Sequence, residues 1–310
     1  MQLNKYFLSS TIINDRFMKK NAKKLFAARK DFKLDNYPTS IGDEISPEEA
    51  KSRLKKIRVE LSALQDKMYA HNKYAVLVCL QGMDAAGKDS LVREVFKEFN
   101  VRGVVVNSFK TPTTLELQHN YLWRHAIALP EKGKFGVFNR THYENVLVTR
   151  VHPEYLLNER MPGITAVADL PKNFWKKRFE QINNFEQHMV DNGTILFKFF
   201  LHLSKKEQRD RLLRRLEKGK HQWKFSVGDL AERERWDDYM HCYEEAIKHT
   251  STDRAPWYAL PADDKDICRY LVAHILLETL KKYKDIEYPA VGDAVKANVQ
   301  QYKAQLEQEG

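Results

Sequence analysis

A chain of 310 residues with 43% hydrophobic and 30% charged side chains can hold one large α/β domain or two small ones. Its three cysteines, Cys79, Cys242 and Cys268, are widely spaced and form no C-x-x-C pair, which excludes a disulfide scaffold or zinc module and suits reduced thiols of a cytoplasmic protein. No apolar run approaches bilayer length, Met1 to Lys5 lacks the apolar stretch of a signal peptide, and the net charge of +10 points to a polyanionic partner, nucleic acid among them.

In chain order, residues 1–44 read as a basic arm with few periodic apolar positions and a basic stretch from Lys19 to Lys33. Ser46-Pro47-Glu48-Glu49 marks a helix start, with proline in the first turn, and Leu54, Ile57, Leu61, Leu64 and Met68 carry that helix over 46–70. Short apolar strands follow at Tyr74 to Leu80, Val104 to Val106 and Phe135 to Phe138. A helix from Phe174 to Val190 leads to a strand over 194–203. A lid spans 204–240, and a last strand (Trp257 to Leu260) and helix (Asp266 to Lys282) fall within 255–285. Strands alternating with helices predict βαβ units and a parallel sheet sandwiched by helices. The whole of 1–310 is therefore expected to be a single domain with its core at 74–203.

Gly82-Met83-Asp84-Ala85-Ala86-Gly87-Lys88-Asp89-Ser90 stands between the first strand and a segment of helical spacing (Leu91, Val92, Val95). Strand, glycine-bounded loop, lysine and helix make a phosphate-binding P-loop, in which backbone N–H groups and a helix N-terminus converge on one anion. Asp89 stands where Ser or Thr normally holds magnesium, so with Asp84 the cradle is unusually acidic. In parallel sheets ligands bind at the carboxyl ends of strands. Lys88, Lys110 and Arg140 all follow strand ends and should share one crevice.

Lys205 to Lys224 holds nine basic residues against three acidic ones. Ser204-Lys205-Lys206-Glu207 fits a capping box. On a helical wheel Leu212, Leu213 and Leu216 share one direction, with Arg211, Arg214, Arg215 and Lys218 opposite. The expectation is a leucine-packed helix whose cations close over transferring phosphate, a helical lid. Arg209 falls on the leucine side with no assigned role. Trp236, Tyr239 and Tyr243 recur at helical spacing and suit core packing. His119, His125, His142 and His152 show no ligand spacing with a third partner and are taken as structural or as phosphate neighbours.

These motifs resemble the family-2 polyphosphate kinases, in particular their class III members. Gly82 to Asp89 is similar to the family's G-x-D-x-x-G-K-D signature. Phe138-Asn139-Arg140-Thr141-His142-Tyr143 is similar to its second motif and runs on through Glu144-Asn145-Val146-Leu147-Val148-Thr149-Arg150. Further blocks follow in family order: Tyr121 to His125, Glu207-Gln208 with Arg211 and Arg215, Trp223 to Ser226 with Asp229, and Ala255 to Lys265. The resemblance implies a thymidylate-kinase-like P-loop fold. It also implies a transferase that moves phosphoryl reversibly from inorganic polyphosphate to AMP and ADP, with guanine nucleotides as further acceptors, and so regenerates ATP. A homo-oligomer, dimer or tetramer, is implied as well.

On this footing the backbone of Gly82, Met83, Ala85, Ala86 and Gly87, with Asp89, Ser90, Arg215 and Lys218, would hold polyphosphate. Asp84, Lys88, Asn139, Arg140 and Arg211 would serve catalysis. Lys110, Arg124, Tyr143, Glu144 and Arg150 would hold the nucleotide, although Glu144 and Arg150 also suit ordinary ion pairs. Asn139 replaces the aspartate that usually ends the third strand, which makes Asp84 and Asp89 the expected ligands of Mg2+, or of Mn2+ in its place. Asp229 would either anchor the lid or cap a helix. The rival readings are an ATP-dependent nucleoside monophosphate kinase and a nucleic-acid-binding P-loop protein. Against the latter, the positive charge gathers beside the phosphate loop and no helix-turn-helix, zinc-finger or RNA-recognition signature is found, so neither nucleic acid nor membrane is expected as a physiological partner.

Overall fold

In a computed structural model of the chain, which describes residues 22–29, 31–223 and 225–309, five strands form one wholly parallel sheet of order β2-β3-β1-β4-β5. They are β1 (Ala75–Gln81), β2 (Val104–Ser108), β3 (Phe135–Asn139), β4 (Thr194–His202) and β5 (Trp257–Pro261). The helices used below are α1 (Ala22–Phe26), α2 (Pro47–His71), α3 (Lys88–Val95), α4 (Trp123–Ala126), α5 (Val148–Val151), α6 (Phe174–Asp191), α7 (Lys205–Glu217), α8 (Gly219–Gln222), α9 (Val227–Glu234), α10 (Trp236–Thr250), α11 (Lys265–Leu280) and α12 (Asp293–Glu307). No helix of the described residues is long and apolar enough to cross a membrane.

The buried strands explain their own sequences. Side chains alternate between faces, so Val76, Val78 and Leu80 of β1 join Phe197, Phe199 and Leu201 of β4 against α2, α3 and α11. Phe200 packs on the opposite face with the α6 and α10 residues Ile182, Tyr239 and Tyr243. Both faces are covered, hence the continuous apolar runs. Ser46 caps α2 as expected, its Oγ accepting from Glu49 N at 3.1 Å. Only half of the capping box forms at Ser204. Its Oγ accepts from Glu207 N at 3.1 Å, but Ser204 N donates to Asp263, which frees the Glu207 carboxylate for arginines.

One reading gains detail and one changes. The described part of the basic arm is docked on the sheet edge and α10. Phe26 and Phe32 are buried, Ala27 bridges antiparallel to Tyr258, and Leu34 N donates to Glu244 at 2.8 Å. The arm's apolar positions are spaced for a sheet edge and a groove, not for one helical face. The start of the basic stretch at Lys19, together with Lys30 and Lys224, lies outside the described residues. The leucine-in, cation-out wheel of α7 is wrong. Its buried positions are Gln208, Arg211 and Leu212, while Leu213 and Leu216 are exposed.

Register delivers the site. Leu80 of β1 and Ser108 of β2 both align with Asn139 of β3. The P-loop, the turn after β3 and the segment after β2 therefore leave the sheet side by side. Gln81 Nε2 donates to Thr141 Oγ1 at 3.1 Å and ties the first two exits together.

Candidate active site

The loop from β1 to α3 turns through left-handed backbone at Ala85 (φ 64°) and Gly87 (φ 102°). A Cβ on Gly82 would meet Leu201 O at 3.0 Å, so β4 passes too closely for any other residue. Lys88 lies folded inside the loop, Nζ donating to Gly82 O at 2.5 Å and Met83 O at 3.3 Å. Burial lowers its pKa, while Asp84 pulls the other way. Ser90 Oγ donates to Gly87 O at 2.9 Å, which closes the first turn of α3.

Across the β1–β3 seam, Asn139 Nδ2 donates to Asp89 at 2.5 Å and Arg140 Nη2 to Asp84 at 2.9 Å. An aspartate at 139 would face a carboxylate here, whereas the amide can donate, so the two departures from the usual P-loop pattern suit each other. Arg140 itself has φ 60°, a conformation that costs a non-glycine residue about 1–3 kcal/mol and that aims its side chain between two compartments. Burial disfavours the guanidinium charge, but Glu144 and Asp84 outweigh it and raise the Arg140 pKa.

One compartment is the P-loop. The other is a cavity of about 360 Å³ lined by Arg140, Glu144, Lys110, Arg124, Phe109 and Glu116, and also by Asn120, Tyr121, Thr149, Tyr155 and Asn158. That volume suits one small ligand. Arg124 is buried and braced, with Nη1 donating to Lys110 O at 2.7 Å and standing 3.5 Å from Glu116. Burial raises the Glu144 pKa, against the pull of Arg140.

Lys88, Asp84, Asp89, Asn139 and Arg140 are thus brought together, and Lys110, Arg124 and Glu144 line the adjoining cavity. Three residues are placed elsewhere. Tyr143 is wholly buried, its hydroxyl donating to Glu186 at 2.6 Å beneath the cavity. Arg150 is not among the residues lining the cavity and lies over Trp175 and Phe179, at 5.8 and 6.0 Å from the ring centroids. Arg211 is buried behind the P-loop, where Nη1 donates to Ala85 O (3.0 Å) and Ala86 O (2.9 Å) and Nη2 to Ala262 O (2.6 Å) and Asp263 O (2.9 Å). It is not an exposed lid cation.

Arg215 joins Asp229 of α9 at 3.0 Å, and Lys218 is exposed at the end of α7. Burial, and then Asp84, raise the Asp229 pKa. His142 and His125 are interior, His119 stacks on Trp123 at 3.9 Å, and His152 meets Glu232 at 3.0 Å.

Two features escaped the sequence. Part of the cavity wall, Tyr155, Asn158 and Glu159, comes from a 3-10 stretch, Pro153–Glu159, which has no amphipathic period to reveal it. Lys265 opens α11 with its Cε 3.8 Å from where a Gly87 Cβ would stand. Among the described residues it forms no hydrogen bond or ion pair. Burial, then Arg211, Arg214 and Arg269, depress its pKa to about 8. A lysine in the first turn of a helix opposes the helix dipole, and that was the available signal.

Comparison with known proteins gives the same frame. Residues 44–288 match the family model Polyphosphate kinase 2 (PPK2). The chain is 46% identical over 274 residues to an ADP-polyphosphate phosphotransferase of Rhodopseudomonas palustris, covering 88% of this chain and 93% of that protein. It is 45% identical over 229 residues to an AMP/ADP-polyphosphate phosphotransferase of Meiothermus ruber, covering 74% and 80%. The crystal structure of polyphosphate kinase 2 from Arthrobacter aurescens TC1 superposes with a TM-score of 0.81 at 33% identity, covering 91% of this chain and 97% of that one. With a P-loop, an adjoining acceptor-sized cavity and an arginine between them, this chain belongs to the polyphosphate kinase 2 family.

Proposed function

We propose that this protein transfers the terminal phosphoryl group of inorganic polyphosphate to AMP and to ADP, giving ADP and ATP, in a reversible exchange of one phosphoanhydride for another. The observation that carries this reading is Arg140, which pairs with Asp84 of the P-loop while lining the cavity next door. A group so placed can touch donor and acceptor phosphates together. Family membership supplies the donor, and the relatives named for AMP and ADP supply the acceptors. No observation favours ATP over polyphosphate as donor.

The chemistry asks for positioning and charge neutralisation. The acceptor's terminal phosphate oxygen, already ionised, attacks the terminal phosphorus of polyphosphate. The new P–O bond forms as the bridging P–O bond breaks, and the shortened chain leaves as an anion, so no side chain need act as a strong base. Loop amides and Lys88 hold the donor end, Arg140 neutralises charge spreading over the moving group, and Lys110 and Arg124 steer the acceptor phosphates. The polar lining residues Asn120, Thr149 and Asn158 hold the base, adenine or guanine.

Asp84 is partly exposed and Asp89 exposed, so both carboxylates are open to a hydrated Mg2+ or Mn2+. Such an ion takes one or two protein carboxylates and fills its shell with water and phosphate oxygens. Among the described residues no cage of three or more His, Cys, Asp or Glu is present, which suits an ion shared with substrate. When bound it would neutralise phosphate charge. A homo-oligomer acting in the cytoplasm, where its nucleotides are, completes the proposal.

The test is ATP formation from ADP, long-chain polyphosphate and magnesium, repeated with AMP and with Lys88→Ala. Product from both acceptors, lost with Lys88→Ala, supports the reading. Product only when ATP replaces polyphosphate would convert the protein into a nucleoside monophosphate kinase.

A further inference from the structure

We infer that Gln208 and Arg211 are positioning residues that grip the P-loop from behind, and that Arg233 makes their grip depend on where the lid helix sits. Three consecutive loop carbonyls face α7. Asp84 O accepts from Gln208 Nε2 at 3.0 Å, and Ala85 O and Ala86 O accept from Arg211 Nη1.

In a planar trans peptide the N–H points opposite to the carbonyl. Turning the Asp84 and Ala86 carbonyls toward α7 therefore turns the Ala85 and Gly87 N–H groups to the other side of the loop. The intervening Ala86 N–H closes a turn onto Met83 O at 3.0 Å. Ala85 sits between the gripped peptides in a left-handed conformation, which costs a residue with a Cβ about 1–2 kcal/mol and persists only when neighbours impose it. Gln208 holds the peptide before Ala85 and Arg211 the peptide after it, so together they fix the φ and ψ of that one residue.

Arg211 has no donor to spare. A guanidinium carries five N–H groups. Four bond the carbonyls of residues 85, 86, 262 and 263, and Nε donates to Glu207 at 2.9 Å. To reach a phosphate it would have to break bonds that shape the phosphate site.

Gln208 is held in turn. Its Oε1 accepts from Arg233 Nη1 at 2.7 Å, and the same nitrogen donates to Lys205 O at 2.8 Å. Arg233 lies in α9, the helix that also carries Asp229 to Arg215. Displacing α9 withdraws the bond that orients the Gln208 amide, and with it the hold on Asp84 O. Lid position and P-loop shape are thereby coupled through one neutral side chain.

The experiment compares Arg211→Lys, Gln208→Leu, Arg233→Met and the Gln208→Leu/Arg211→Lys pair in the full-length protein, by steady-state kinetics and by amide hydrogen exchange of the peptide spanning 82–90. Arg211→Lys keeps the charge but cannot bridge four carbonyls, and Gln208→Leu changes no charge. Both should lower kcat by roughly tenfold or more and raise the KM for polyphosphate, with the KM for AMP within about twofold, because the acceptor cavity is untouched. The pair should be little worse than Arg211→Lys alone, since both act on one loop. Exchange should quicken in 82–90 for all three single variants and stay unchanged in β1 and β4.

Near-normal turnover by Arg211→Lys with an unaffected Gln208→Leu would show that charge alone matters and overturn the inference. So would unchanged exchange in 82–90. The kinetic arm rests on the polyphosphate-transfer reading, whereas the exchange arm does not, so the two can fail separately. Global unfolding of Arg211→Lys would leave Gln208→Leu and Arg233→Met to decide by the same readouts.

Discussion

Lys198→Met should be the most damaging single change beneath the active site. Lys198 lies buried in the middle of β4, aligned with Cys79 of β1 and Trp257 of β5. Its Nζ donates to Glu186 Oε2 at 2.6 Å, Thr250 O at 2.6 Å and Tyr143 Oη at 3.2 Å. Glu186 Oε1 in turn accepts from Tyr143 at 2.6 Å and meets His142 Nε2 at 3.1 Å. Burial alone would raise the Glu186 pKa, but Lys198, then His142, holds it below the usual value. Methionine leaves a buried carboxylate without the lysine that balances it, and breaking such a pair costs about 3–5 kcal/mol, a large share of the roughly 5–15 kcal/mol that holds a typical protein folded.

Urea unfolding at pH 7 measures the loss directly. The sign of its pH dependence is fixed. In the wild type, a depressed folded pKa gives stability that is present above the unfolded value and lost as pH falls through the folded one. In Lys198→Met, burial is no longer opposed by the lysine, the Glu186 pKa rises, and the deficit should shrink as pH falls from 7 toward 5. Adding Glu186→Gln should restore all but about 1–2 kcal/mol, because the amide still accepts from Tyr143 without a charge. His142 and Tyr143 follow Arg140 by two and three residues, so kcat should fall even where the variant is folded. A single-variant loss under about 1 kcal/mol, or a double variant no better than the single, would refute the reasoning.

Three further outcomes are expected. Arg140→Lys keeps the charge but not the fork between Asp84 and the cavity, and should cut kcat/KM roughly tenfold to a hundredfold for AMP and ADP alike; a loss confined to one acceptor would place Arg140 on the nucleotide alone. Lys265 loses its charge as pH rises through about 8, so the KM for long polyphosphate should climb above that pH. Lys265→Arg should flatten the climb, and an identical pH profile in that variant would remove Lys265 from the donor site. Asp229→Asn weakens the bond to Arg215 across the lid and should raise the KM for polyphosphate several-fold with thermal stability within about 0.5–1 kcal/mol of wild type; a larger stability loss would make Asp229 a structural residue.

What the sequence disclosed followed from periodicity and spacing. The continuous apolar runs of β1 and β4, the Ser46 cap and the glycines of the P-loop each express a constraint local to a few residues. Lys88, Asp84 and Arg140 could be assigned together because parallel strands bring their carboxyl ends to one edge. The cavity beside the P-loop was legible only in part. Lys110, Arg124 and Glu144 sit just past strands or in a motif, but Asn120, Tyr155 and Asn158 lie on turns whose direction depends on tertiary packing. Tyr143 and Arg150 failed for the same reason, since a motif says that residues are near a site and not which way each one points.

Arg211 failed for a different reason. A helical wheel assumes that whatever faces inward is apolar, which holds when a helix packs on other side chains. Helix α7 packs on the outside of a loop whose carbonyls point away from the anion site, and on the turn after β5. Against such a surface a leucine would strand four carbonyl acceptors, two of them in fully buried bonds, at about 1–3 kcal/mol for each buried one left unpaired. A guanidinium, with a planar fork and five donors, satisfies them all. The P-loop makes its anion site by turning N–H groups one way, so it must present carbonyls the other way. The residue that fills that second surface is set by the first, which is why a basic helix next to a P-loop can owe its most buried cation to the loop's own backbone rather than to the substrate.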